Sequence, residues 1–452
     1  MEANQPRTSA LDVAIIGGGI AGVTLALGLQ RRGIQTTIFE RGRSFGEIGA
    51  GIGFTPNAEW AMKVLDPRIH AAFKRVTVQN GTDWFIWMDG SSSESDGALI
   101  HKMYLGERGF EGCSRADFLD ELVKSMPKET VQFSKNLAEI VDRDGSAKVE
   151  LKFTDGTSAD ADVDRLAAAP SVIGCDGIRS RTRQIVVGDR DKLAQHPHYT
   201  HKYAFRGLVP MDLARPALGQ EKTDTRHMYL GPDGHALTFP VAGGKLLNVV
   251  AFTTDHDEWP DRDKFTAPAS KSDAVKAFER FSPTVRAIID MLPDSLSKWA
   301  VFDTYDHPAP TFIKGRVCIS GDAAHAAAPH HGAGAGFAIE DGAVLAHLLG
   351  VVDEHTKAHP GDACGRTKAA LVRKALETYN TVRLERALWL VETSRQVGNM
   401  YEWQDPHVVS DHQKCADEID WRCRKIWHYD IDAMMEETKE HFTRQMEELG
   451  VL

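Results

Sequence analysis

No two cysteines in this sequence have C-x-x-C spacing. The six present (Cys113, Cys175, Cys318, Cys364, Cys415 and Cys423) are scattered through 452 residues. That excludes a disulfide framework and fits a reducing compartment. Cys175 and Cys318 stand in apolar, strand-like runs and read as small buried hydrophobes. Basic charge is also short: 53 Lys/Arg face 64 Asp/Glu, a net charge of −11. A nucleic-acid footprint would need the opposite balance. Seven of the eleven surplus charges fall in 401–452, where 13 acids face 6 Lys/Arg, a pattern of solvated helical faces. Long apolar runs are missing as well. Residues 13–29 are apolar-rich but broken by glycines, so no membrane span is expected. The opening MEANQPRTSA is polar and lacks the apolar segment of a secretory signal. A cytoplasmic protein is therefore expected, with the sequon Asn80-Gly81-Thr82 unused.

What is present is ordinary globular composition, 42% hydrophobic and 26% charged. At roughly 150 residues per domain, the length suggests two to three domains or one large core with an embedded second. Residues 12–16 (DVAII) predict a buried strand, GGGIAG a turn, the stretch to Leu29 a helix, and 35–40 (QTTIFE) a second strand. This opens a doubly wound α/β sheet. Residues 148–153 alternate and end on Thr154-Asp155-Gly156, predicting a hairpin. Buried strands are expected at 171–175 and 316–320, with a helix from about Phe337. Several short β-like runs fill 198–255, and the periodicity after about 365 is helical. The domain expectation follows. A Rossmann-like dinucleotide domain covers 1–75, 108–190 and 300–365. A β-rich insert covers 76–107 and 191–299, and a helical region covers 366–452.

Two motifs carry chemistry. Gly17-x-Gly19-x-x-Gly22 follows a strand, opens a helix, and precedes Glu40 at the end of the next strand. Glycines there permit a tight turn and close approach of backbone to a pyrophosphate, and the acid suits a ribose. The second motif is Gly321-Asp322, directly after a strand, with Pro329 and the run Gly332, Ala333, Gly334, Ala335, Gly336 beyond it. An Asp at a strand end can hold a sugar-alcohol hydroxyl, and small residues at a helix start let N–H groups face an anionic ring edge. No second dinucleotide fingerprint follows a strand. His325, His330 and His331 lack an acid or cysteine at ligand spacing, so no metal site is expected. His325 and His330 read as structural. Trp403, Trp421 and Trp427 read as packing residues.

GGGIAG with Glu40, Asp176-Gly177 within IGCDGIRSR, and GDAAHAAAPHHGAGAGFAIEDG occur in an order and spacing that resembles the single-component FAD-dependent aromatic hydroxylases, from residue 12 to about 390. ERGRSFGEIGAGIGFTPNA and YAFRGLVP resemble the salicylate hydroxylase-like branch. HPHYTHKYAFRGL, DEWP, FDTYDHPAP and KIWHYD look closer still to fungal enzymes that dearomatise polyketide phenols. The resemblance implies non-covalent FAD, with NADPH or NADH as reductant and O₂ as co-substrate. It implies Gly17, Gly19 and Gly22 at the pyrophosphate, Glu40 at the adenosine ribose, Arg115 as an FAD contact, and Asp176 supporting the FAD region. Asp322 would hold the ribityl chain, and backbone from Gly332 to Gly336 would lie near the isoalloxazine. Arg206 would face the substrate as the catalytic residue, and His331 is a pocket candidate.

The sequence departs from that family at three places. Many relatives carry Gln where Phe337 stands. The dearomatising branch uses a tyrosine to anchor substrate phenolate, at positions matching Phe239 and Phe118. Both lack the hydroxyl, so either Arg206 acts alone or an anchoring tyrosine has been replaced. The implied chemistry is attack of an electron-rich phenolate on a flavin C4a-hydroperoxide, with the protein positioning and desolvating. Aromatic-retaining or decarboxylative hydroxylation of a salicylate-like benzoate is the alternative. A flavin oxidase or dehydrogenase, or a non-catalytic flavin protein, are rivals of another class. A homodimer is the working expectation for assembly.

Overall fold

The computed structural model describes residues 9–46, 51–106, 111–143, 149–158, 171–261, 264–359 and 365–451. Cys364 lies outside the described residues.

Two large sheets organise the chain. In the first, Asp12–Ile16 pairs in parallel with Gln35–Phe39 on one side and Ser171–Gly174 on the other. Val131–Gln132 and Val317–Ile319 extend it, also in parallel. Among the described residues, only the edge strand Ile313–Lys314 is antiparallel. Ile15, Ile38, Ile173 and Ile319 are all fully buried, as a parallel sheet covered on both faces requires. Helices Ile20–Arg31, Pro56–Leu65 and Gly334–Ala358 pack together beside it. Gly28 makes that packing close, because a Cβ there would lie 2.0 Å from Leu65 Cδ1. The doubly wound expectation holds.

Among the described residues the second sheet has eight strands, in the order Thr266–Ser270, Ser295–Asp303, His198–Pro210, Leu246–Thr254, Gly234–Val241, His227–Gly231, Trp84–Asp89 and Leu99–Tyr104. Side chains alternate between its faces. Phe205, Val209, Leu247, Val249 and Ala251 turn to an outer face covered by helices Met211–Leu218, Lys271–Ala277 and Pro283–Asp290. Ala204, Val250, Phe252 and Val301 turn to an inner face, where Ala328 of the 326–333 loop packs on them. The same alternation sets Arg206, Asn248 and Phe239 on that inner face. A small sheet of Gly51–Phe54, Val78–Gln79 and Glu111–Ser114 lies against it, with the Phe239 ring over Gly51 and Gly112.

Three helices close the chain. Gly365–Tyr401 runs beside Gly334–Ala358, and Ile431–Glu448 packs on both. His412–Trp427 covers the far edge of the second sheet, with Ile419, Cys423 and Trp427 clustered with Phe85, Trp87 and Met103. Gly334–Ala358 is long and apolar enough to cross a bilayer, but 83% of its most apolar window is buried in the protein.

Several local expectations need correction. The helix expected from about Phe337 starts at Gly334, because its small first residues fit where larger ones would clash: a Cβ on Gly336 would lie 2.8 Å from Ala58 Cβ. Val149–Phe153 also pairs with the upstream strand Leu137–Asp142, which was not expected; the 154–156 turn brings Lys152 opposite Ser158, and the rest of the return strand lies outside the described residues. Of the three tail tryptophans only Trp427 is buried. Trp421 is 42% exposed on the solvent side of its helix, and Trp403 is half-buried. The Asn80 side chain is consumed internally, donating to the Thr82 and Trp84 carbonyls and accepting from the Arg226 N–H.

Candidate active site

The first glycine motif forms a cradle that only glycine fits. Gly17 has φ +103°, and a Cβ there would lie 2.4 Å from the Cys175 carbonyl oxygen. A Cβ on Gly22 would lie 2.0 Å from the Gly17 carbonyl oxygen. Helix Ile20–Arg31 begins at Gly19 with no side-chain cap, so its first N–H groups and positive dipole end are available to an anion. Glu40 accepts from the N–H groups of Gly18 and Gly42, both at 2.7 Å. It therefore braces the turn and keeps spare lone pairs for a hydroxyl.

The second motif lies beside the first. Gly321 has φ +61°, and its ideal Cβ position is 3.2 Å from both Ala21 and Ala338. One turn thus touches the starts of both long helices. Asp341 fixes it, accepting from Gly321 N–H at 3.0 Å and bonding His325 Nε2 at 2.7 Å. Arg383 in turn bonds Asp341 at 2.8 Å and pairs with Glu340 at 2.7 Å. These partners hold the Asp341 carboxyl well below its usual range despite burial. His325 is structural, as expected. Asp322 is exposed at the mouth, 3.8 Å from the ideal Cβ position of Gly334. Phe337, in the position many relatives fill with Gln, lies buried under Arg386 at 4.3 Å.

Asp176 acts through the backbone. It accepts from Thr182 N–H at 2.9 Å and from the hydroxyl of Ser180, the N-cap of helix Arg181–Val187. Burial raises its pKa and these bonds oppose the rise. The helix carries buried Arg183, which clamps the Ala324 carbonyl at 2.7 Å and so braces the second motif. The glycine cradle, the uncapped helix start, Glu40, Asp322 and the 332–336 run lie at the ends of neighbouring parallel strands and fit an FAD. Among the described residues no His/Cys/Asp/Glu group could hold a metal ion.

Arg206, on the eight-stranded sheet, lies within reach of the charge of Arg115, the first residue of helix Arg115–Val123. Arg206 lies on the inner face, 5.2 Å over the Trp299 ring. Burial first, and the Arg115 charge second, push the Arg206 guanidinium down to about 10. Its Nε finds no hydrogen-bond partner among the described residues, and neither does buried Asn248 Nδ2 beside it. Asn248 Oδ1 accepts from Gly51 N–H at 3.3 Å. A buried polar atom without a partner costs about 1–3 kcal/mol, which a bound oxygen would relieve.

The three aromatic pocket candidates separate. Phe239 lies on the inner face, over Gly51 and Gly112. Phe118 is wholly buried in the core around the parallel sheet, edge-on to Phe54 at 5.3 Å and to Phe73 at 5.8 Å. His331 bonds Thr393 at 3.3 Å, and burial with Arg422 pushes it down to about 3. Its Nε2 is turned to the Gly365–Tyr401 helix. Sequence reasoning missed Asn248, Trp299 and the partners of His330. A polar residue inside the apolar run LLNVVAF was the available signal for Asn248; nothing local marked the others.

A profile of the FAD-binding domain matches residues 10–379. The dual trans-enoyl reductase/FAD-dependent monooxygenase tazHJ of Aspergillus terreus is 71% identical over 98% of this chain, which spans only 62% of that protein. The FAD-dependent monooxygenase pigN of Monascus ruber is 55% identical, over 97% of this chain and 98% of its own. Among solved structures, a salicylate hydroxylase substrate complex superposes with a TM-score of 0.79 at 32% identity, covering 95% of this chain and 98% of that one. The chain belongs to the FAD-binding domain family, among its salicylate hydroxylase-like FAD-dependent monooxygenases.

Proposed function

We propose that the chain uses FAD, NADH or NADPH, and O₂ to hydroxylate an electron-rich phenol, dearomatising a resorcylaldehyde-type polyketide phenol in fungal secondary metabolism. The supporting observation is Arg206: a guanidinium over the Trp299 ring, its Nε unpartnered among the described residues, on the same sheet face as Asn248 and Phe239. Gly17, Gly19 and Gly22 would hold the FAD pyrophosphate, Glu40 and Asp322 its two sugar portions, and the 332–336 run its ring. Arg115 would contact it from helix Arg115–Val123. Bound FAD, reduced by NAD(P)H, supplies an electrophilic oxygen derived from O₂.

The protein's task is to present an electron-rich ring. Arg206 is a cation held against burial and against Arg115, so a phenolate oxygen gains more from it than a neutral phenol does. That difference lowers the phenol's pKa and raises electron density on the ring. Phe239 and Trp299 exclude water, which strengthens the attraction. We assign Phe239, not Phe118, to the substrate side, since Phe118 is enclosed by the other core. The cytoplasmic location and a homodimer belong to this proposal. The paired guanidiniums also suit a carboxylate, so salicylate-like benzoate hydroxylation is the second reading. Products of a substituted 2,4-dihydroxybenzaldehyde decide between them. Loss of the aromatic absorption band with gain of one oxygen supports dearomatisation, and a catechol-like spectrum supports the second reading.

A further inference from the structure

Two polar groups on the inner face of the second sheet lean apart over an apolar floor. The strand register sets Arg206 opposite Val250, and sets Asn248 opposite Leu208 on one side and Phe239 on the other. Arg206 and Asn248 are therefore diagonal neighbours on adjacent antiparallel strands, with α-carbons about 7–8 Å apart. The Arg206 guanidinium leans away from Asn248. It lies 5.2 Å from the ring centroid of Trp299, on the strand along the far side of its own. The Asn248 amide leans the other way, toward Gly51. Its Cγ is 2.9 Å from the ideal Cβ position of that glycine, and the tip of the Phe239 ring is 2.7 Å from the same point. Val250, opposite Arg206 and two residues from Asn248, is apolar.

The backbone fixes which way the amide points. Gly51 N–H can only donate, so the atom 3.3 Å from it is Oδ1, and Nδ2 is the group left over. Nδ2 is buried and has no hydrogen-bond partner among the described residues. Asn248 is only 4% exposed and interrupts the apolar run LLNVVAF, where an apolar side chain of its size would carry no desolvation cost. Nδ2 has hydrogens and no lone pair to offer, so the group that relieves it carries an acceptor.

We propose that Asn248 Nδ2 receives a carbonyl oxygen of the substrate, at the opposite end of the ring from the oxygen held by Arg206, an inference that rests on the phenolic reading above. The site then selects a phenol that carries an aldehyde or ketone para to the hydroxyl that ionises. A neutral carbonyl suits the amide better than a carboxylate does, because an uncharged donor leaves a buried charge uncompensated. The two contacts also support each other. In a para-acyl phenolate the negative charge is shared with the carbonyl oxygen, so that oxygen accepts more strongly once Arg206 has drawn the phenol into its anion. A ring held at one end can pivot, whereas a ring held at both ends presents a fixed carbon for oxygen insertion. No bond is made or broken in this recognition.

The test is ligand binding to FAD-loaded oxidised enzyme, read from the perturbed flavin spectrum, with each dissociation constant referred to the free phenolate. 2,4-Dihydroxybenzaldehyde carries the para carbonyl, 4-chlororesorcinol replaces it with a weak acceptor, and 2,4-dihydroxybenzoate makes it a carboxylate. Wild type should bind the aldehyde about tenfold more tightly than the chloro compound. Asn248→Leu and Asn248→Val remove the donor. They should bring that ratio to about one, with FAD content and the affinity for 4-chlororesorcinol unchanged. A ratio near one in wild type, or a tenfold ratio that survives in the variants, overturns the assignment and leaves the phenolic reading standing. Equal weakening of aldehyde and chloro compound also overturns it, since that marks an amide that only braces Gly51. A benzoate that binds wild type more tightly than the aldehyde overturns the carbonyl preference. The wild-type comparisons decide even if a variant fails to hold FAD. A wild type that binds none of the three overturns the functional reading, and this assignment with it.

Discussion

Replacing Arg206 with Gln should move stability and activity in opposite directions. In the substrate-free protein the guanidinium is disfavoured by burial and by Arg115, which together push it down to about 10. Gln retains a donor and removes the charge, so the free protein gains on the order of 1 kcal/mol, the usual direction when an ill-compensated buried charge is neutralised. For a chain of this size that raises Tm by about 1–2 °C. The bound phenolate loses a charge-assisted contact worth about 2–4 kcal/mol. That corresponds to a fall of roughly 30- to 1,000-fold in kcat/KM. FAD content should not change, because none of the cradle residues touches this position. The assay pairs a thermal melt and a flavin-to-protein absorbance ratio with substrate-dependent NAD(P)H oxidation. Unchanged turnover, or a loss of activity that tracks lost FAD or a lowered Tm, would refute the anchoring role.

Gly17→Ala should abolish flavin retention, since its Cβ would meet the Cys175 carbonyl at 2.4 Å at φ +103°; the absorbance ratio of purified protein checks this. Phe239→Tyr should tighten phenol binding about tenfold or more through a hydrogen bond to a charged oxygen, measured by titrating the oxidised flavin spectrum. Phe118→Tyr should instead cost about 1–3 kcal/mol by burying an unpartnered hydroxyl between Phe54 and Phe73, seen as a lower denaturation midpoint without a change in affinity. Acid should destabilise the fold early. His331 and His347 are pushed down to about 3 and about 4 by burial. A depressed folded pKa means that stability is full above the unfolded histidine value, about 6.5, and is lost as pH falls toward these values. Tm should therefore drop between pH 7 and 4, and His331→Gln should flatten part of that slope.

The parallel sheet was legible because its signals are local. DVAII and QTTIFE are short apolar runs, and the glycines between them have steric reasons confined to a few neighbours. The second motif was legible for the same reason, but its brace was not: Asp341 and Arg383 meet Gly321 only after two helices pack. Arg206 was legible as a charged residue in a β-like run, though its repulsion from Arg115 depends on how distant segments pack. The separation of Phe118 from Phe239 could not be read from sequence, because a buried aromatic in a helix and one in a strand look alike before packing. The partner of His330, His235, could not be read from sequence because it lies 95 positions away.

The most direct test of the central claim is a reaction under ¹⁸O₂ with purified enzyme, FAD, NADPH or NADH and a substituted 2,4-dihydroxybenzaldehyde. The account predicts one ¹⁸O atom in the organic product per NAD(P)H consumed, with the aromatic band lost. An unlabelled product, with hydrogen peroxide formed in step with NAD(P)H oxidation at every phenol tried, would contradict it.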